Sequence, residues 1–310
     1  MNTGKSTGGF TLVELIAVIV ISSVLAAVVG YNISRPIQGF VDTARRATLV
    51  DEGDTALNRL TREVRLALPN SVRIAGGQAL EFLRTRSGGR YRAQIDPGLP
   101  LSNALDFPPT DSKFDVLGRL NDFGQICAGG SPNCGGMTPT STAACMAGSA
   151  VDCLIIFNTG QPNDCSTPVV GKTNAYCGEN VAGIEIADPG PGPGLPTIEF
   201  VHDLGAFPFP SPNQRFHVVD TPVSYICTLG NGLLMRYDGY AIGAIQPTGA
   251  SPPAVTGRVL AENVVACNFE YDPGTATRAA LVSVTLSLSG SSQPNERIRL
   301  FQQTHVPNIP

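Results

Sequence analysis

Gly9-Phe10-Thr11-Leu12-Val13-Glu14 opens a stretch that is apolar almost throughout: Phe10-Thr-Leu-Val-Glu-Leu-Ile-Ala-Val-Ile-Val-Ile-Ser-Ser-Val-Leu-Ala-Ala-Val-Val29. About 20 such residues make a helix long enough to cross the hydrocarbon of a bilayer. Glu14 is the exception. A carboxylate inside a membrane segment costs on the order of 2.5–3.5 kcal/mol near the helix centre and less toward an end. Such a residue is a functional candidate by default. The residues before it, 1–9, are polar and weakly basic through Lys5. Gly4-Lys5-Ser6-Thr7 has the ending of a phosphate-binding loop but follows no strand, so it reads as part of a soluble leader.

Three readings compete for this end. A secretory signal peptide would be cut after the apolar run, near Val24-Leu25-Ala26, but Glu14 does not suit its core. A plain signal anchor leaves Glu14 and the glycine-terminated leader unexplained. The third rests on the resemblance of Gly9-Phe10-Thr11-Leu12-Val13-Glu14 to the cleavage site of type IV prepilins, which implies a cut after Gly9 that makes Phe10 a new N-terminus. Lys5 on one side, and Arg35, Arg45 and Arg46 on the other, do not decide the orientation by charge alone.

Working outward, Pro36 is expected to kink or break the helix. Beyond it, Leu57, Leu60, Val64 and Leu68 recur every three to four residues and define a sticky face. Arg45, Arg46, Asp51, Glu52, Asp54, Arg59, Arg62 and Glu63 define a charged one. Gly53 reads as a soft spot costing about 1 kcal/mol against alanine. Pro69-Asn70 closes the helix, which is assigned to 10–69 with 10–30 in the membrane. From Ser71 the pattern turns to strands. Ser71–Arg84 reads as a hairpin around Gly76-Gly77, and Val223–Thr228 pairs with Leu233–Ile242 through Leu229-Gly-Asn-Gly232. Leu281-Val-Ser-Val-Thr-Leu-Ser-Leu288 alternates strictly, as a strand with one wet face does. Residues 96–180 read as a loop-rich insertion. The fold class is α+β: a long N-terminal helix packed on a mainly antiparallel β-sheet domain, 70–310.

Cysteine usage fixes the compartment. All eight cysteines follow residue 120, in Gly/Pro/Ser-rich surroundings, and none forms a C-x-x-C pair. Zinc ligands come in close pairs, so this spacing points to disulfides, which persist outside the cytoplasm. A net charge of -4 without long runs of one sign argues against a nucleic-acid partner.

The segment Gly9-Phe10-Thr-Leu-Val-Glu14 resembles the cleavage site of type IV prepilins. The resemblance implies that prepilin peptidase cuts after Gly9 and N-methylates Phe10. Glu14 would then pair with the Phe10 amine of a neighbouring subunit. It implies no cofactor. The implied partners are prepilin peptidase, other major and minor pilins and an inner-membrane assembly platform. The implied location is the inner membrane, with the C-terminal domain in the periplasm, and the pilus after assembly. Val223-Ser-Tyr-Ile-Cys227, Leu234-Met-Arg-Tyr237, Ala261–Gly274 and Thr304-His-Val-Pro-Asn308 resemble the minor pilin-like biogenesis proteins of mannose-sensitive haemagglutinin pili. More distantly, the layout is similar to the J-type pseudopilins of type II secretion. Cys227 and Cys267 lie in the part that best matches this family, in expected core strands, and are expected to bond. The other six are expected to pair among themselves, with Cys165 and Cys177 bracketing a polar loop.

No catalytic constellation accompanies these features. His202, His217 and His305 are scattered, with no H-x-x-x-H, no G-x-S-x-G and no calcium loop. No catalytic residue and no metal site is expected. Asp188 and Asp272 precede Pro-Gly and read as turn formers. A structural assembly subunit is the leading expectation. A tip adhesin displaying the cysteine-rich insertion, or a secretion pseudopilin, is the alternative.

Overall fold

The computed structural model describes residues 9–310 except 100, 108–110, 119, 121–125, 130–140, 149–150, 161–164, 166–170, 189–195, 204–206, 276 and 291–292, and except the side chains of 32–38 and 293–295. The leader up to residue 8, Cys134, Pro108-Pro109, Gly135-Gly136 and most of the turn after Asp188 lie outside the described residues. The chain forms two units, Met1–Asp51 and Glu52–Pro310.

The first unit holds most of α1 (Leu12–Val64). Its helix runs without interruption through Pro36, so the expected break does not occur. A proline inside a helix removes one backbone bond and costs about 3 kcal/mol. Leu12–Tyr31 has a mean hydropathy of 2.8 and buries none of its residues.

In the second unit, α1 ends at Val64, short of Pro69. Past that point the backbone turns into the sheet: the Leu68 amide donates to the Leu83 carbonyl (2.8 Å), and the Thr85 amide to Leu66 (2.7 Å). The sticky face of the helix end, Ala56, Leu57, Leu60 and Val64, is almost fully buried. Each leucine there contributes about 1.5–3 kcal/mol by leaving water. Gly53 is a close approach and not a soft spot. A Cβ at that position would collide with the Cδ1 atoms of Leu300 and Leu288.

Strands follow in antiparallel pairs. β1 (Arg73–Ala75) and β2 (Ala79–Tyr91) form the first hairpin, turned by Gly76 and Gly77 at positive φ. Then come β3 (Lys113–Leu117), β4 (Cys153–Ile155), β5 (Val181–Asp188), β6 (Thr197–Val201), β7 (Arg215–Thr228), β8 (Leu233–Asp238) and β9 (Arg258–Ala261), with a short α2 (Thr142–Met146) before β4. A second sheet holds β10 (Val264–Asp272), β11 (Ala280–Gly290) and β12 (Gln293–Val306). Asn263, at positive φ, separates β9 from β10.

The large sheet runs β1-β2-β3-β6-β5-β4-β7-β8-β9, and β2 also pairs with β7 along almost its whole length. That extra pairing closes β2-β3-β6-β5-β4-β7 into a ring. The insertion is therefore structured. It begins after β2 and extends to β7, well beyond residue 180. Its β3, β4, β5 and β6 complete a small barrel on the far ends of two neighbouring strands. Side chains fill the ring: Phe114 meets Tyr91, Phe200 and Phe216 at centroid distances of 6.1, 6.1 and 5.2 Å, and all four are buried.

Candidate functional site

Gly9, Phe10 and Thr11 precede the helix, and Gly9 and Phe10 are exposed. Thr11 starts α1. Its carbonyl accepts from the Leu15 amide (3.2 Å), and its hydroxyl accepts from the Glu14 amide (3.3 Å). Thr11-Leu-Val-Glu14 thus has the sequence of a capping box, with Glu at the third helical position. This cap is a signal in the sequence that the cleavage-site reading passes over. Glu14 also sits in the first turn, where the helix dipole favours a carboxylate by about 0.3–1 kcal/mol. Its carboxylate makes no hydrogen bond or ion pair among the described residues.

From Leu12 to Tyr31, 20 residues of helix measure about 30 Å, the thickness of a bilayer core. The two serine hydroxyls in the run are satisfied within the helix. Ser22 donates to the Val18 carbonyl at 2.6 Å, and Ser23 to that of Val20 at 2.9 Å. Internal bonding of this kind is what hydrocarbon demands of polar groups. One end of the span therefore presents an exposed Gly9-Phe10 bond and an uncommitted carboxylate, on a helix apolar on every side.

The cysteines form a second group. Cys227 on β7 is joined to Cys267 on β10, with Cα atoms 6.3 Å apart, so this bond ties the large sheet to the small one. Cys165 is joined to Cys177 and Cys145 to Cys153. Cys127 is also disulfide-bonded. The Cys127 amide donates to Asp152 at 2.8 Å.

The three histidines do not converge. His202, just past β6, donates to the Glu179 carbonyl (3.0 Å), and burial lowers its pKa. His217 lies in β7, and His305 in β12. Among the described residues no group of three potential metal ligands forms. Asp272 accepts from the Gly274 amide (2.9 Å) and pairs with Arg278 (2.7 Å), which makes it a turn residue. Asp188 ends β5.

Sequence reasoning missed the buried ionic clusters, two of which lie within the large sheet. In one, Glu81 accepts from Arg73 and from the Tyr240 hydroxyl, while the Arg73 guanidinium lies 3.6 Å from the Tyr176 ring centre. Burial raises the Glu81 pKa against the pull of Arg73. In the other, Arg84 and Arg86 share Asp220, and Arg86 also faces Asp152 at 3.3 Å. Burial pushes Asp152 up to about 6. Arg73 and Glu81 face each other across the β1–β2 hairpin, but their tyrosine partners and the whole of the second cluster come from distant sequence, so spacing carries little sign of them.

Comparison with known proteins bears on the helical end alone. The family model for the prokaryotic N-terminal methylation motif matches residues 4–30. This match supports a type IV pilin-like protein, anchored by one N-terminal apolar helix, processed by prepilin peptidase and in contact with other pilins. No curated protein and no solved structure matches the chain significantly.

Proposed function

We propose that this chain is a minor pilin-like subunit that takes part in assembly or tip priming of a type IV pilus, in the manner of MshO, the minor pilin-like protein of the mannose-sensitive haemagglutinin pilus. The observation that carries the reading is Gly9-Phe10 followed by Glu14 at the head of a fully exposed, 20-residue apolar helix. After cleavage the Phe10 amine is cationic at neutral pH. Buried in a bundle of apolar helices, it needs a counter-charge, since an unpaired buried ion costs several kcal/mol. Glu14 of a neighbouring subunit supplies one. The C-terminal domain, on the periplasmic side, carries the bulk and suits a filament end better than a crowded shaft. The chain is proposed to catalyse nothing.

Deletion of the gene tests the proposal: pili should be lost or shortened while the major pilin persists. Normal pilus number and length in the deletion strain would overturn it. A tip adhesin is the second reading, favoured by the disulfide-stapled ring set between β2 and β7. Excision of the ring that abolishes adhesion but leaves pili intact would select it. A secretion pseudopilin instead predicts a gene neighbourhood of secretin-associated exoprotein genes.

A further inference from the structure

A cavity of about 560 Å³ opens where the end of α1, the middle of β2, the start of β7 and the C-terminal tail come together. Its charged lining is of one sign. Arg65, Arg86, Arg215 and Arg278 line it, and no aspartate or glutamate does. Two of these cations are neutralised locally: Arg86 by Asp152 and Asp220, and Arg278 by Asp272. Arg65 donates only to the Thr304 hydroxyl (3.1 Å), and Arg215 has no carboxylate partner among the described residues. Two guanidinium groups without a counter-ion thus share one concavity.

Two further groups in the lining lack partners. Thr85 Oγ1 and His217 Nε2 are buried without a hydrogen bond among the described residues. Buried polar atoms are paired as a rule, so each orphan calls for an explanation. Both atoms lie beneath the cavity surface, so the charged groups that face a ligand there are the guanidiniums of Arg65 and Arg215. Leu66, Pro69, Pro307 and Ile309 contribute hydrocarbon to the lining, and Ser87, Thr277 and Asn308 add neutral polar groups. Small-molecule sites have this make-up: a mostly apolar hollow with a few convergent polar groups.

We propose that this cavity binds a small organic carboxylate, whose charged end meets Arg215 and Arg65 and whose body lies on the apolar part of the lining. A guanidinium holds a planar carboxylate through two parallel bonds. The apolar side favours such a ligand over hydrated inorganic phosphate, which has nothing to place there. The proposal does not depend on the pilin reading, because every residue of the cavity belongs to the second unit.

The test uses the full chain in a nonionic detergent, titrated calorimetrically with benzoate, benzyl alcohol and inorganic phosphate. Benzoate should bind saturably, and the other two roughly tenfold or more weakly. Arg215→Gln and Arg65→Gln should each weaken benzoate roughly tenfold, while Arg297→Gln, on β12 outside the cavity, should not. No saturable benzoate binding at millimolar concentration, equal binding of phosphate or benzyl alcohol, or indifference to both cavity substitutions would overturn the proposal.

Discussion

Arg236 on β8 donates through Nε to Glu63 in the last turn of α1 at 2.7 Å, with only 2% of its side chain exposed. Tyr225 and Arg59 donate to the same carboxylate at 2.7 and 3.1 Å, and Arg236 also meets Asp238 at 2.8 Å. Helix end and sheet are therefore joined by a buried ionic node as well as by apolar packing. Burial raises the Glu63 pKa, but the bonds from Arg236, Tyr225 and Arg59 outweigh it and hold the group below the usual range.

The node should be costly to break and cheap to replace. Glu63→Gln leaves Arg236 with Asp238 alone, and we expect a loss of about 3 kcal/mol in chemical denaturation. The pair Glu63→Leu with Arg236→Met should recover much of that loss, because well-packed apolar groups avoid the desolvation. A lowered carboxylate pKa contributes stability that is present above the unfolded value and lost as pH falls through the folded one. The wild-type chain should therefore lose this contribution on acidification, and Glu63→Gln should show a shallower acid limb. Equal acid limbs would contradict the pairing.

Gly53 tests the close approach of helix and sheet. Replacing a helical glycine by alanine ordinarily stabilises by about 1 kcal/mol. Here the new methyl meets Leu300 and Leu288, and overpacking costs about 1–3 kcal/mol. Gly53→Ala should therefore be neutral to destabilising in thermal unfolding, and a rise in Tm would refute the contact.

Signals local in sequence give the elements, while signals that depend on distant chain segments give the topology. The run from Phe10, the hairpin at Gly76-Gly77 and the alternation of Leu281–Leu288 each declare themselves within about twenty residues of contiguous chain. By contrast, β3 has only five residues, Lys113–Leu117, between prolines and glycines, and gains its identity by pairing with β6 and the far end of β2. The ring closes through β2 and β7, more than a hundred residues apart, and no window of sequence contains that pairing. The helix end is missed for the same reason, since Leu68 turns toward Leu83 and not toward its own helix. The capping role of Thr11 is local, and Thr11-x-x-Glu14 shows it in the sequence.

The disulfide between Cys227 and Cys267 spans a sequence separation of 40. A loop of that length, closed in the unfolded chain, should stabilise the domain by about 4 kcal/mol. Cys227→Ala with Cys267→Ala should lower stability by that amount. Non-reducing peptide mapping of the native chain should recover the two cysteines in one linked fragment. Recovery of either one free, or bonded elsewhere, would refute the bond.

His217 should give stability a pH dependence of its own. Burial, with Arg215 adding to it, lowers its pKa to about 4. The unfolded chain, with an ordinary histidine pKa near 6.5, then binds more protons than the folded one between about pH 4 and 6.5. Stability must rise with pH across that window and fall on acidification. The shift corresponds to about 3 kcal/mol between pH 7 and pH 4. His217→Gln should remove that part of the slope in denaturation series at several pH values, and an unchanged slope would show that His217 is not held neutral by its surroundings.

Glu14→Gln separates the two roles open to Glu14. Glutamine serves in a capping box as glutamate does, so the start of α1 should survive the change. Thr11→Ala, which removes the hydroxyl bonded to the Glu14 amide, should cost the helix start about 1 kcal/mol. Only the charge is lost in Glu14→Gln, and within the chain's own helix that charge is worth no more than the dipole's roughly 0.3–1 kcal/mol. Cleavage after Gly9 should continue, because the scissile bond is exposed and unaltered. Incorporation into filaments should fall roughly tenfold or more, since a Phe10 amine buried without a counter-ion costs several kcal/mol. Immunoblots of the processed chain in membranes and in sheared pili measure the two steps separately. A first subunit, with no neighbour above it, would be less sensitive than a shaft subunit. A Thr11→Ala defect as large as that of Glu14→Gln would assign Glu14 to the cap and remove the basis for intersubunit pairing.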